Sequence, residues 1–356
     1  MAYLELNRAA LHHNFHFMKD TFSRHDKEWG IVTKLLCGNK LFLKELLSLG
    51  LTVAFDSRLS NLKNIRALQP DITTAYIKPP PKRLIPKLLD YADITFNTQL
   101  STIQLINQVA ADKGIVHKIM IMIEMGDLRE GVLREEFIDF YSRVFELKNI
   151  EVIGIGTNLN CLNGVLPSYD KLIQLSLYEQ LIESSFNTTI PWVSAGTSVV
   201  FPMLDMNLVP KGMNHFRIGE TLFFGTDLIE EKGVPGMRQD VFRFYAEIVE
   251  IMEKPDLMDQ PGGTNVAGET PEADTGSPIN NTNRALVDSG LLDVQARNLK
   301  PLNKDYRIDG ASSDMLVLDV GENKEGLNTG GYIPFEVDYM GVLSLMNSKY
   351  IEKIVV

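Results

Sequence analysis

Short apolar runs alternate with amphipathic stretches from residue 28 to about residue 235. The runs are WGIVTK (29–34), LTVAFDS (51–57), TTAYIKP (73–79), DITFNT (93–98), KIMIMIEMG (118–126), VIGIGTN (152–158), WVSAGTS (192–198) and FRIGETLFFG (216–225). Between most of them, segments such as NKLFLKELLSLG and LREEFIDFYSRVFELKN repeat apolar residues at helical spacing. Strands that are apolar on both faces and alternate with helices predict parallel β-structure buried on both sides. Eight such units predict a (β/α)8 TIM barrel, with a doubly wound open sheet as the alternative.

The pattern changes near residue 236. QDVFRFYAEIVEIMEK (239–254) alternates with a period of two, and RALVDSGLLDV, YRIDGASSDMLVLDV and YIPFEVDYMGVLSLM read as short strands with turns. Residues 255–283 are rich in Gly, Pro, Asn and acidic side chains and poor in large apolar ones, which predicts a flexible acidic loop or lid. The expected class is therefore α/β: an N-terminal barrel over 1–235 and a C-terminal, mostly β domain over 236–356.

Composition narrows the partners. The net charge of −11 leaves no basic stripe to displace counterions from nucleic acid. The two cysteines, Cys37 and Cys161, imply no disulfide framework, and no Cys/His cluster has zinc spacing, so no metal is expected. The start, MAYLELNRAALHHNF, is not patterned as a signal peptide, and no 18-residue apolar run could span a bilayer. The expectation is a cytoplasmic protein with neither membrane nor nucleic acid as a partner.

In a (β/α)8 barrel the chemistry sits at the C-terminal strand ends. In chain order these carry Lys34; Asp56, Ser57 and Arg58; Lys78; Asn97; Glu124, Gly126 and Arg129; Thr157 and Asn158; Gly196, Thr197 and Ser198; and Arg217 with Gly219. The set is polar and cationic. Its last two members combine small residues, hydroxyls and backbone N–H groups where such barrels hold phosphate. Each end taken alone also fits an ordinary solvated rim, and Lys34 fits a lysine snorkelling from a strand end. Neither G-x-G-x-x-G nor G-x-x-x-x-G-K-[ST] occurs, so dinucleotide and P-loop chemistry are not supported.

The segments YLELNRAALHHNF, VTKLLCGN, FDSRLSNLKNI, EMGDLREGV, GIGTNLNCLNGVLPS, SAGTSVVFPML, FRIGETLFFGTDL and GASSDMLVLDV, taken in order, resemble the alanine racemase superfamily of pyridoxal 5'-phosphate (PLP) enzymes, in particular the branch that contains ornithine racemase. The resemblance runs nearly end to end. It implies an amino-acid racemase, acting on ornithine, lysine or another non-alanine amino acid. Lys34 would hold PLP covalently as an imine and serve as base on one face. Thr197, Ser198 and Gly219 would receive the phosphate, and Arg217 would face the pyridine nitrogen. Arg129 would contact the cofactor phenolate and the substrate carboxylate. Asn158 stands where many alanine racemases have histidine. The family's tyrosine of the second domain has no counterpart in RALVDSGLLDV; Asp288, Ser313, Asp314 and Tyr339 are candidates for the opposing acid, and Asp314 is the expected catalytic residue among them. A homodimer with shared active sites is implied. The alternatives are a PLP-dependent decarboxylase or aldolase on the same fold, a non-catalytic PLP-binding protein, and a sugar-phosphate enzyme without PLP.

Overall fold

The structure, a computed structural model, describes residues 1–255, 263–264, 270 and 281–356. The chain groups into two units, Leu11–Gln239 and Met1–Ala10 with Asp240–Val356. The first strand, β1 (Tyr3–Leu6), belongs to the latter.

The unit Leu11–Gln239 holds eight strands in one parallel sheet: β2 (Glu28–Val32), β3 (Val53–Asp56), β4 (Thr73–Tyr76), β5 (Ile94–Asn97), β6 (His117–Met122), β7 (Ile150–Gly156), β8 (Trp192–Ser194) and β9 (His215–Ile218). Neighbours in sequence pair in sequence, β2 pairs β9, and a Gly196–Phe216 bridge joins the ends of β8 and β9. The sheet is therefore a closed barrel, and the open-sheet alternative falls. The strands are apolar because both faces are covered: all four residues of β5 are buried. Phe55, Ala75, Ile94, Phe96, Met120, Met122 and Ile153 form one packed cluster. The helices follow the expected stripes. Leu100–Asp112, for example, buries Thr102, Ile103, Ile106 and Ala110. The stretch 216–225 is not all strand: after β9 a short helix, Glu220–Phe224, begins.

Barrel closure depends on a missing side chain. A Cβ on Gly196 would lie 2.2 Å from the Phe216 ring, and Phe216 is fully buried. Gly196→Ala is expected to lower stability by about 1–3 kcal/mol through overpacking, read as a reduced denaturation midpoint.

Two buried histidines make the barrel acid-sensitive. His117 at the start of β6 is paired through Nε2 with Thr95 Oγ1 at 3.1 Å, and burial pulls its pKa down to about 4. His215 on β9 is also pulled well down by burial, with the Arg217 cation adding to the effect. Between the ordinary histidine pKa and the depressed one, the unfolded chain binds a proton that the folded chain refuses. Stability therefore rises with pH across that window and is lost as pH falls from about 6.5 towards 4. His117 alone accounts for at most about 3 kcal/mol. Urea midpoints measured across this range should fall with acid, and His117→Gln should flatten the slope.

After β9 a small hairpin, β10 (Thr226–Asp227) and β11 (Lys232–Gly233), completes this unit. The other unit is an antiparallel assembly of β12 (Phe242–Pro255), β13 (Asn281–Val287), β14 (Leu299–Pro301), β15 (Arg307–Ala311), β16 (Leu316–Asp319) and β17 (Tyr332–Val337), in the order β14-β17-β12-β13-β16-β15. β1 lies between β12, antiparallel, and β18 (Glu352–Val355), parallel. This differs from the expected division at residue 235. Leu4 and Leu6 of β1 are fully buried, and their cover and ladder bonds come from residues beyond 241. The stretch read as YIPFEVDYMGVLSLM strands is half helix: Tyr339–Asn347 is α-helical, with Asp338 Oδ1 accepting from Gly341 N–H at 2.7 Å as its cap. The expected loop over 255–283 lies, apart from its two ends and residues 263–264 and 270, outside the described residues.

Candidate active site

At the end of β2, Thr33 donates from its backbone N–H to Phe55 O and from its hydroxyl to Asp56 Oδ2, both at 2.8 Å. Asp56 at the end of β3 also accepts from the Arg58 N–H at 2.9 Å and from Asn61 Nδ2 at 3.0 Å. Burial pushes the Asp56 carboxyl up, and these hydrogen bonds oppose the shift. The network leaves β2 and β3 in one register, and Lys34 emerges from it, exposed, at the first residue of a 3-10 turn, Lys34–Leu36. The turn ends in two left-handed residues, Cys37 (φ 47°) and Gly38 (φ 73°). A Cβ on Gly38 would meet Asn61 Oδ1 at 2.7 Å, so the glycine lets the lysine-bearing loop approach β3's helix closely.

Lysine and arginine are also present at the next rim positions. Lys78 after β4 stands over the Tyr76 ring at 5.9 Å, and burial with the nearby Arg58 lowers its pKa. Asn97, at the end of β5, is fully buried and donates to Thr95 O at 2.9 Å, while its Oδ1 has no partner among the described residues.

The loop after β6 is built around two carboxylates. Glu124 Oε1 accepts the N–H groups of Gly126 and Leu128. Asp127, 2% exposed, accepts from the N–H groups of Cys161, Leu162 and Asn163 at 3.0–3.3 Å, which ties this loop to the one after β7. The chain returns through Gly131 (φ 157°), where a Cβ would lie 2.2 Å from Glu124 N, and Val132 bonds back to Met122 and Glu124. Arg129 does not stand alone here: its Nε and Nη2 both reach the Glu130 carboxylate. Burial pushes the Cys161 thiol up, and the Arg129 and Lys34 cations oppose that shift.

Arg217, 4% exposed on β9, is the most constrained cation of the barrel. Nη1 donates to Ser194 O at 2.9 Å and to Ser194 Oγ; Nη2 donates to Thr157 O at 2.8 Å and to Asn158 Oδ1 at 2.9 Å. Its carbon sits 5.4 Å from the Phe96 ring centroid. Burial lowers its pKa to about 10, with Arg129 contributing, and it remains protonated at neutral pH. Four of its N–H groups are thus matched to four protein acceptors, and Nε–H has none among the described residues.

Ser198 Oγ, after β8, accepts the N–H groups of Gly219 and Thr221, both at 3.2 Å. The Gly219 donor proposed for an anion is therefore engaged with Ser198, and the Ser198 O–H proton, polarised by the two N–H groups, is the group left to donate. Thr197 is half-buried, and its carbonyl accepts from Val200 N–H at 2.9 Å. A Cβ on Gly219 would meet Val32 Cβ at 3.2 Å, a tight contact that Val32 would have to relax to admit. Asp314 lies in the other unit, in the turn between β15 and β16, where it accepts from Ser313 Oγ at 2.5 Å.

The structure thus brings Arg217 together with Asn158, and Ser198 with Gly219, with Lys34 at the end of β2 and Arg129 on the loop after β6. It adds Ser194, Asp127 and Glu130, which the sequence reading did not select. All three are recognisable only from the approach of separate strand ends, Glu130 through its bond from Asn158. The donor set fits the cofactor that the resemblance implies: a lysine amine at the mouth, a hydroxyl for an anion, and a buried arginine with an N–H left over for a ring nitrogen.

A model of the alanine racemase N-terminal domain matches residues 6–227. Ornithine racemase of Acetoanaerobium sticklandii is 32% identical over 352 residues, 98% of each chain. Lysine racemase of Thermotoga maritima is 26% identical over 352 residues, 99% of this chain and 97% of that one. Among solved structures, alanine racemase of Bartonella henselae with covalently bound pyridoxal phosphate superposes with a TM-score of 0.72 at 15% identity, covering 100% of this chain and 99% of that one.

Proposed function

Because the chain belongs to the alanine racemase family, we propose that it is a PLP-dependent racemase of a basic amino acid, ornithine or lysine, working as a cytoplasmic homodimer. The observation that carries this reading is Arg217: a buried guanidinium, protonated at neutral pH, with its Nη groups held and Nε–H left to donate. Such a donor has no proton to give away, so a ring nitrogen facing it stays neutral. A neutral ring favours a reaction that only removes and returns a proton over one that needs a strong electron sink.

Bound PLP supplies the electron withdrawal that makes the substrate α-proton acidic. Lys34 Nζ takes or returns that proton on one face. Ser198 Oγ–H and the Thr197 hydroxyl donate to the phosphate, and Gly219 keeps the wall behind them thin. Asn158 and Ser194 hold Arg217. Arg129, kept charged by Glu130, receives the substrate carboxylate. Asp314 is the proposed acid of the opposite face, supplied by a second copy of the chain.

The test is incubation of the PLP-loaded protein with L-ornithine and with L-lysine, separately, in deuterated water. Chiral chromatography should show the D-isomer accumulating, with deuterium at Cα. If neither substrate gives a D-isomer or exchange, the reading fails; carbon dioxide or an aldehyde as product would point to the decarboxylase or aldolase instead.

A further inference from the structure

Asn158 stands between two groups of fixed hydrogen-bonding character. Arg217 can only donate, and the ionised Glu130 carboxylate can only accept. Asn158 Oδ1 accepts from Arg217 Nη2 at 2.9 Å, while Asn158 Nδ2 donates to Glu130 Oε1. The opposite rotation of the amide would set an N–H₂ against the guanidinium and a carbonyl against the carboxylate. Only one orientation satisfies both neighbours.

Glu130 is itself well placed to dictate that orientation. Its side chain is 13% exposed, and Arg129 grips it with two donors. The loop that carries it is closed by the Val132–Met122 and Glu124–Val132 backbone bonds and by Asp127's hold on residues 161–163. Apart from Glu130, reached through Asn158, every acceptor around Arg217 is neutral: two carbonyls, a hydroxyl and an amide.

We propose that Glu130 is a positioning residue: its carboxylate locks the Asn158 amide with Oδ1 towards Arg217, and so aims the Arg217 Nε–H that receives the cofactor ring nitrogen. The aiming of Arg217 is a property of the protein itself; its use in catalysis rests on the racemase reading above. Glu130 acts through Asn158, so removing either should have the same consequence. Removing both should add nothing.

The experiment is a double-mutant cycle on Glu130→Leu, Asn158→Ala and the pair, read in two ways that need no turnover. The first is the PLP dissociation constant, followed by absorbance without substrate. The second is the Arg217 Nε–H resonance of the cofactor-free protein, assigned by its loss in Arg217→Lys. Each single variant is expected to weaken PLP binding about tenfold, and the double variant no more than either. The Arg217 signal should broaden or double in Glu130→Leu. Additive losses, or an unchanged resonance and affinity in Glu130→Leu, would overturn the proposal. Should Glu130→Leu fail to fold, the isosteric Glu130→Gln is read instead. Its amide no longer forbids the wrong Asn158 rotation, and the same direction of change is expected; no change in either readout overturns the proposal. If the cycle behaves as expected while the parent protein racemises nothing, the racemase reading fails and the positioning role stands.

Discussion

Lys34→Ala is expected to abolish covalent attachment of PLP and to lower racemisation roughly a thousandfold or more, because one side chain supplies both the tether and the proton-transferring amine. Borohydride treatment of the loaded parent should add the cofactor's mass to the peptide carrying residue 34, and leave the variant unlabelled. The fold should survive. Lys34 is exposed at the first residue of its turn, above the Thr33–Asp56–Asn61 network that joins β2 to β3. Substitutions at such positions usually change stability by well under 1 kcal/mol. A variant that is still labelled, or still turns over substrate, would remove the basis for assigning chemistry to this end of the barrel.

Arg217→Met is expected to do damage of a different kind, in the protein before any cofactor is added. Methionine fills a similar volume but has no donors, so Thr157 O and Asn158 Oδ1 lose the guanidinium in a buried setting, while Ser194 O keeps only the Thr157 N–H. Each unsatisfied group costs about 1–3 kcal/mol, and relief from burying a cation offsets part of the sum. A net loss of about 3 kcal/mol is expected in the urea midpoint of the apo protein, together with weaker PLP binding. Arg217→Lys should fall between, since an ammonium keeps the charge but cannot span acceptors on two strand ends. A fully stable Arg217→Met that binds PLP like the parent would show that the guanidinium is dispensable.

Lys34 was legible in the sequence for the same reason the barrel was. A parallel strand covered on both faces is a continuous apolar run, and the first polar residue after it marks the barrel mouth. Lys34, Asn97, Thr157, Asn158 and Ser198 follow from that rule, whereas Arg217 stands inside the run 216–225 and owes its assignment to the resemblance. What could not be read was pairing across distance. Alternating patterns such as YLEL at residues 3–6 fit any two-faced strand, and nothing local says that the partner is Phe242–Tyr245. Glu130 was overlooked because a carboxylate next to an arginine on a loop ordinarily means a solvated pair. Its meaning comes from Asn158, 28 positions later, reaching it across two strand ends. The helix Tyr339–Asn347 was misread because its apolar residues crowd together, and its one clear signal, the capping Asp338, is a single residue.

The position of β1 bears on how the molecule is made. Residues 11–239 are contiguous, so the barrel can close while the ribosome is still adding the rest. Tyr3–Leu6 emerges before the barrel yet must wait for Glu352–Val355, its parallel neighbour, to be synthesised. During that interval two buried leucines of β1 are without their final cover, an edge exposed to chaperones or to neighbouring nascent chains. Vectorial synthesis thus leaves β1 among the last strands to be seated.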